Sequence, residues 1–489
     1  MEKPKTFYIT TPIYYPNARP HLGHAYTSTI ADVVARCARL RGAKTHFLTG
    51  TDEHGAKIVR TAHAEGKEPQ AFVDEMAEHF KRLFEELGIS YDQFIRTSDQ
   101  SVHWPGSQAL WQKLVQAGDI YKAPYEGLYC VGHEAFLTEK ELGADGKCPD
   151  HGVAPEHIKE ENYFFRLSKY TSDIKRRIET GELVILPEER RNEILALLHS
   201  GLADISFSRP RANLSWGIPV PGDADQTMYV WCDALSNYIT AIGYGRDEKQ
   251  FKQFWPADYH VIGKDILRFH AAIWPAMLIS AGLALPKCIM VHGLIMSGGR
   301  KMSKTLGNVV DPTELIEQYG ADAVRYYLCR HVSPFSDGDM TKEGFRDVYN
   351  GELANGIGNQ VSRVMKMAEE HLGAPVSLTE DDSAFEPAVM EFIERFELNR
   401  AMDLIFEHVA KGDLYVQERE PYKKIRSTEP ADSAQAKADI EKLVRHVFKL
   451  AVHLEPFMPD TAKEIQDAVR NNKKPKNLFP RLAAKRDRN

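Results

Sequence analysis

Long apolar runs are missing from this 489-residue chain; none approaches the roughly 18 residues that a membrane-spanning helix needs. The polar start, MEKPKTFYITT, has no signal-peptide core, so the sequence predicts a cytoplasmic protein without a membrane partner. Cysteine is scarce. Cys37, Cys130, Cys148, Cys232, Cys288 and Cys329 are too few and too irregularly spaced to staple a chain of this size, which excludes a disulfide framework. Positive charge is not in excess either. A formal net charge of -7 argues against indiscriminate nucleic-acid binding and leaves any RNA contact to local patches, such as the basic RNNKKPKNLFPRLAAKRDRN. Internal repeats and low-complexity tracts are also absent. What is present is an ordinary globular composition, 43% hydrophobic and 27% charged. The chain is too long for one core and predicts roughly two to four domains.

The order of elements is that of an α/β protein. TFYITTPIYY reads as a strand; a helix follows with Ile30, Val33, Val34, Cys37 and Leu40 at helical spacing, stopped by Gly42; THFLTGTDEHG is a second strand entering a polar turn. This β-α-β order builds parallel sheets covered by helices. It returns in DYHVIG, KDILRFHAAIWPAMLISAG and KCIMVHGLIM, read as strand, helix and strand. The sheet is therefore expected to be split by an insertion. From about residue 340 the apolar period becomes helical, as in Ile357, Val361 and Val364, which predicts an all-α bundle. STEPADSAQAKAD reads as a polar connector within it.

Three stretches carry candidate chemistry. In NARPHLGHAYTS, His21 and His24 flank Leu22 and Gly23 where a strand becomes a helix. The pair can be read as metal ligands lacking further partners nearby, or as satisfied, partly buried histidines. The third reading is an anion site, because a helix start offers free N–H groups and a favourable dipole, and Gly23 permits close approach. In SGGRKMSKTLGN, Lys301 and Lys304 bracket Met302 and Ser303 in a loop opened by Gly298 and Gly299. Alone, such a pair is usually solvated surface. In YCVGHEAFLTEKELGADGKCPDH, Cys130-x2-His133 and Cys148-x2-His151 have the ligand count and spacing of a closed tetrahedral zinc site.

Together, HLGH and KMSKT resemble the paired nucleotide-binding signatures of the class I aminoacyl-tRNA synthetases. The stretches TPIYYPNARPHLGH, FLTGTDEHG, YVWCDALSNYI, IGKDILRFHAAIWPAML and KMSKTLGNVVDP narrow the resemblance to the methionyl-tRNA synthetase family, from about Phe7 to Leu482. Leucyl, isoleucyl and valyl families are less similar, since an insertion of roughly 110 residues hardly holds their editing domain. The resemblance implies a Rossmann-type parallel sheet in two halves, 1–115 and 226–296, split by a connective insertion, 116–225, with a Cys/His knuckle. A KMSKS-type loop and stem-contact region, 297–345, and a helical anticodon-binding domain, 346–489, would follow.

The same resemblance implies a ligase that activates methionine with ATP and magnesium, releases pyrophosphate and passes methionine to the 3′ end of its tRNA. With no appended dimerising domain after NLFPRLAAKRDRN, a monomer is expected. By resemblance His21, His24, Lys301 and Lys304 are catalytic, and Gly23, Asp265 and Ser303 meet ATP, with an N-cap role equally open for Asp265. Asp52 would accept the methionine ammonium. Ile13, Tyr15, Trp231, Ala234, Leu235, Tyr238 and His270 would line the thioether pocket, although plain core packing also accounts for Trp231 and Tyr238. Asn359, Arg363, Pro421 and Tyr422 would meet the anticodon, with tyrosine where the family usually has tryptophan. Structural zinc would sit on Cys130, His133, Cys148 and His151, with histidine at 133 where the family mostly has cysteine. Two rivals stand beside this reading: a class I synthetase for another amino acid, and a catalytically dead tRNA-binding protein on the same fold. The intact His21, His24, Lys301 and Lys304 argue against the second.

Overall fold

Strand β1 (Thr6–Tyr14) opens the fold, and Phe7 to Thr11 are all buried along it. A strand buried on both faces belongs inside a parallel sheet covered by helices. The computed structural model of the protein describes residues 6–131, 135–137, 142–143, 145–149, 152–301 and 310–482. In the chain, β1 leads to helix α1 (Leu22–Leu40) and then to β2 (Lys44–Thr51). With β3 (Gln93–Arg96), β4 (Val184–Leu186), β5 (Tyr259–Gly263) and β6 (Cys288–His292), a six-stranded sheet forms in the order β3-β2-β1-β5-β6-β4. Every pairing in it is parallel. The chain steps outward from β1 to β3, crosses to the far edge at β4 and returns beside β1 at β5, so the order reverses between β1 and β5. At such a switch point the loops after the two strands diverge, and open α/β sheets bind ligands there.

Residues 1–20, 41–82 and 90–292 make one compact unit; residues 21–40, 83–89 and 293–489 make a second. The core of the first unit joins sheet residues such as Leu48, Ile262 and Ile289 to Trp111, Tyr238 and Trp274. The insertion contributes a long antiparallel ribbon, Ile120–Cys130 with Glu156–Phe165, in register from Ile120 opposite Phe165 to Tyr129 opposite Glu156.

Two sequence expectations change in this unit. The insertion was expected to run unbroken from 116 to 225, yet Val184–Leu186 pairs with Cys288–Met290 and becomes the edge strand β4. Three residues are too few to show a period, and only Ile185 of them is buried. The helix expected over KDILRFHAAIWPAMLISAG is three pieces: a 3₁₀ turn (Lys264–Ile266), a π turn (Phe269–Ile273) and an α-helix (Trp274–Ser280). Pro275 cannot donate to the preceding turn, and the backbone widens ahead of it. Helix α2 (Val230–Leu235) lies earlier in the same unit.

In the second unit, α1 groups with the C-terminal helices, whereas the sequence placed it in the first sheet half. Its side chains give a reason. It is buried on nearly every side from Ala25 to Ala35, and its buried Asp32 pairs at 2.7 Å with buried Arg325 of α3 (Ala321–Arg330). The bundle that follows holds α4 (Gly358–His371), α5 (Leu398–Arg419), α6 (Pro421–Lys424), α7 (Pro430–Leu454) and α8 (Pro459–Arg470). Ile357, Val361 and Val364 are buried, as their helical spacing requires. The expected connector STEPADSAQAKAD is mostly helix: α7 begins at Pro430, a residue suited to the first turn, and the alanines that read as linker favour helix. No helix among the described residues is long and apolar enough to cross a membrane.

Candidate active site

At the carboxyl end of β1 the register against β2 slips by one residue between Thr10 and Ile13. Pro12 cannot donate to the ladder there, and the bulge re-aims Ile13 and Tyr15, both partly buried against the core. Asp52 leaves the end of β2 with its N–H on the Tyr14 carbonyl at 2.9 Å, and it is buried. The next residue, Glu53, anchors this loop. Its carboxylate accepts from Thr51 Oγ1 at 2.6 Å, from Arg96 Nε at 2.7 Å and from Ser98.

An aromatic and imidazole cluster packs against β1 and β5. Tyr238 donates to His270 Nε2 at 2.7 Å, while His270 Nδ1 donates to the Ile266 carbonyl at 2.9 Å. These two partners require the neutral Nδ1–H tautomer. Burial agrees, pushing His270 down to about 4. His260 meets Tyr238 at a tilt, ring centres 4.2 Å apart, and is fixed similarly: Trp274 donates to its Nε2 at 3.3 Å, so its Nδ1 donates to Thr10 Oγ1 at 2.8 Å. Burial holds His260 well below the usual histidine range as well. Trp231 stacks on Phe269 with ring centres 3.6 Å apart, and its buried Nε1 has no hydrogen-bond partner among the described residues. Ala234 and Leu235 are buried on α2. Within the first unit, the structure thus joins Tyr238 to His270 and sets Trp231 against Phe269. Asp265 is exposed on the turn after β5, and that turn carries no side-chain cap bond, so the N-cap reading of Asp265 falls.

A second set of buried polar groups stands beside this cluster. Asp233, between Trp231 and Ala234 on α2, accepts from His54 Nδ1 at 2.5 Å and from His103 Nε2 at 2.7 Å. All three side chains are buried. Sequence reasoning assigned none of them a role, nor Glu53, although FLTGTDEHG and YVWCDALSNYI contain three of the four. A charged residue inside an otherwise apolar run was the available signal.

In the second unit, α1 starts with His21 and His24 stacked face to face, centres 3.8 Å apart. His24 Nδ1 accepts the His21 N–H at 3.0 Å and His21 Nδ1 accepts the Gly23 N–H at 3.1 Å, so each Nδ1 is taken and a proton on either ring is carried on Nε2. Desolvation, and then the adjacent His21, hold His24 well below the usual histidine range. A Cβ at Gly23 would lie 2.9 Å from the His21 ring, so a larger residue there would push that ring aside. With each Nδ1 already accepting a backbone N–H, neither of these nitrogens is open to a metal. Gly298 and Gly299, φ 61° and 71°, turn a tight hairpin between Ile295–Ser297 and Arg300–Lys301, in which Lys301 pairs with Met296. Both turn positions need positive φ, so the two glycines that open this loop form a β-turn. Ser303 and Lys304 lie outside the described residues.

Asn359 and Arg363 are exposed one turn apart on α4. On α6, Pro421 is buried and Tyr422 is 40% exposed. Helices α4 and α6 both pack on α7. In the insertion, Cys130 and Cys148 are buried; His133 and His151 lie outside the described residues. Among the described residues no group of three or more His, Cys, Asp or Glu side chains is placed to hold a metal ion.

A family described as class I tRNA synthetases (M) matches residues 7–157 and 150–365. The chain is 43% identical over 473 residues to a methionine–tRNA ligase of Caldanaerobacter subterraneus, covering 94% of this chain and 73% of that one. With the methionine–tRNA ligase of Rickettsia conorii it shares 40% identity over 491 residues, covering 98% and 95%. Among solved structures, Mycobacterium tuberculosis methionyl-tRNA synthetase in complex with methionyl-adenylate has a TM-score of 0.90 at 38% identity, covering 95% of this chain and 93% of that one. The apo form of the same enzyme has a TM-score of 0.84 at 34% identity, covering 98% and 99%.

Proposed function

The chain belongs to the methionyl-tRNA synthetases of class I, a ligase that activates methionine with ATP and then transfers it to tRNA, and from that premise we propose which of its residues perform each part. The methionine carboxylate attacks the α-phosphorus of ATP, pyrophosphate leaves, and the adenylate esterifies the terminal adenosine of the tRNA. No protein nucleophile is needed, so the residues act by positioning and by stabilising charge. Asp52 takes the ammonium. Tyr238, His270 and Trp231, with Ile13, Tyr15, Ala234 and Leu235, take the thioether.

The neutrality of the Tyr238–His270 cluster carries this assignment. Buried imidazoles held uncharged, with an aromatic stack beside them, suit a polarizable sulfur and reject a charged side chain. His21 and His24 offer Nε2–H donors to the phosphates at the start of α1, Lys301 and Lys304 add charge there, and Gly23, Ser303 and Asp265 contact ATP. Magnesium enters with ATP as part of the substrate. Trp231→Ala is expected to raise the KM for methionine by about tenfold or more, leaving that for ATP within about twofold. Pyrophosphate exchange with each standard amino acid is the assay. Equal losses for both substrates remove Trp231 from the pocket.

Asn359, Arg363, Pro421 and Tyr422 are assigned to the anticodon, since an exposed ring and an exposed guanidinium on helices that share α7 suit unstacked bases. Tyr422→Ala should cost about 1 to 3 kcal/mol in aminoacylation and nothing in pyrophosphate exchange. Charging at the parent rate would place anticodon reading elsewhere.

Two buried thiols, Cys130 and Cys148, are a donor pair suited to zinc, and the backbone folds back at the second, where Gly152 donates to the Cys148 carbonyl at 2.8 Å. With His133 and His151 they would hold a structural ion that ties the end of the ribbon together. Elemental analysis of protein purified without chelator should find about one zinc per chain. A ratio near zero would mean an empty knuckle.

A further inference from the structure

We propose that the buried His54–Asp233–His103 link is a gauge for methionine length, holding the ammonium acceptor Asp52 at a set distance from the thioether pocket. The proposal rests on the pocket assigned above. His54 follows Asp52 by two residues on the loop after β2. Asp233 sits on α2 between Trp231 and the Ala234–Leu235 pair. The bond from His54 Nδ1 to Asp233 Oδ2, 2.5 Å long, therefore joins the element that would hold one end of the amino acid to the element that would hold the other.

Each side of the link is braced. Behind Asp233, His103 donates from Nε2 at 2.7 Å and receives Thr240 on Nδ1 at 2.8 Å, while Ser107 and Ser236 meet at 2.6 Å. Behind His54, Glu53 is anchored on Arg96 and Trp216 donates to its carbonyl at 2.6 Å. The His54 ring also meets the Trp216 ring edge-on, with centres 5.4 Å apart. Packing alone does not call for these groups. A buried carboxylate with two imidazoles is costly to desolvate, and apolar residues of like volume fill such a space as well or better. What the polar set adds is direction and a fixed length. Burial opposes ionisation of Asp233, and the His54 and His103 donors outweigh it, holding its carboxyl below the usual range.

A ruler of this kind is needed because an apolar pocket discriminates weakly: one methylene is worth about 10 to 200-fold, and only if the pocket wall stays where it is. The test compares His54→Phe, which keeps a flat ring against Trp216 and loses the bond, with His54→Asn, whose amide N–H sits near the former Nδ1. For His54→Phe the expected result is a methionine KM raised about tenfold, an ATP KM within about twofold, and a smaller preference for methionine over ethionine, which is one methylene longer. His54→Asn should recover most of that preference. If His54→Phe does not fold, Asp233→Asn, which preserves shape and removes the charge, should move the same ratio in the same direction. An unchanged ratio, or methionine and ATP constants that rise together, overturns the gauge. Trp231→Ala separates the two layers of the argument. If it weakens methionine while the His54 variants leave the ratio alone, the pocket stands and the gauge falls; if it does not weaken methionine, the pocket assignment falls first.

Discussion

Replacing His24 by alanine is expected to slow adenylate formation by about 10² to 10³-fold, or ~2.7 to 4 kcal/mol, the loss typical of removing one preorganised donor from developing charge. The ring is oriented before any substrate arrives: its Nδ1 is occupied by the His21 N–H, and its face is stacked on His21. Its cation is disfavoured, so the role proposed for it at neutral pH is that of a neutral Nε2–H donor. His24→Gln can place an amide N–H near the same point, so it should retain part of the rate where alanine does not. Single-turnover formation of adenylate at saturating methionine and ATP measures this directly. Alanine and glutamine variants that match the parent would exclude His24 from phosphate stabilisation.

The largest effect on stability is expected from Arg325→Met. Arg325 is completely buried and bonds to the Asp32 carboxylate at 2.7 Å, the Phe457 carbonyl at 2.7 Å, the Pro456 carbonyl at 2.9 Å and the Leu87 carbonyl at 3.3 Å. Asp32 also holds Arg36 at 2.8 Å, and Arg36 is only partly exposed. Removing one partner of a buried pair typically costs about 3 to 5 kcal/mol; here Asp32 keeps the partly exposed Arg36 but loses its buried partner, and the Phe457, Pro456 and Leu87 carbonyls lose their donor. The loss should appear as a lower denaturation midpoint and as faster amide exchange in α1 and α3, the helices the pair connects. Adding Asp32→Asn should return part of the stability, since a buried charge that has lost its buried partner is then gone, and this non-additivity distinguishes the pair from a general packing defect. If Arg325→Met alone lowers stability by less than about 1 kcal/mol, the network is not holding α1.

Much of the first unit was legible because parallel strands buried on both faces are written as continuous apolar runs. TFYITTPIYY and DYHVIG are such runs and became β1 and β5; of KCIMVHGLIM only Cys288–His292 became β6, and Ile295–Ser297 pairs in a separate sheet. The edge strand Val184–Leu186 was not legible, because one buried residue in three has no pattern. The first turns of α7 were misread for a related reason. Small and polar residues describe a linker and an exposed helical face equally well, and only Ala436, Asp439 and Ile440 show, by being buried, which one it is.

The sequence by itself determined the class of protein: the spacing within HLGH and KMSKT, with the stretches around Asp52, Trp231 and His270, matches the family that the comparisons identify. Local order carries that information, because a helix start, a glycine and a pair of histidines are neighbours in the chain as they are in space. Tertiary structure decided what the same letters do electrically. Whether Asp233 is a solvated carboxylate or one gripped by His54 and His103, and whether His270 is charged, depends on groups that are far apart in the chain. Asp233 and His54 lie 179 residues apart, and Tyr238 and His270 lie 32 apart. Burial then multiplies each such contact, since a hydrogen bond or a charge in the core has no water to fall back on. For the same reason Asp32, one more polar residue in a helix when read in the sequence, became the ionic partner of Arg325 only once the chain had folded.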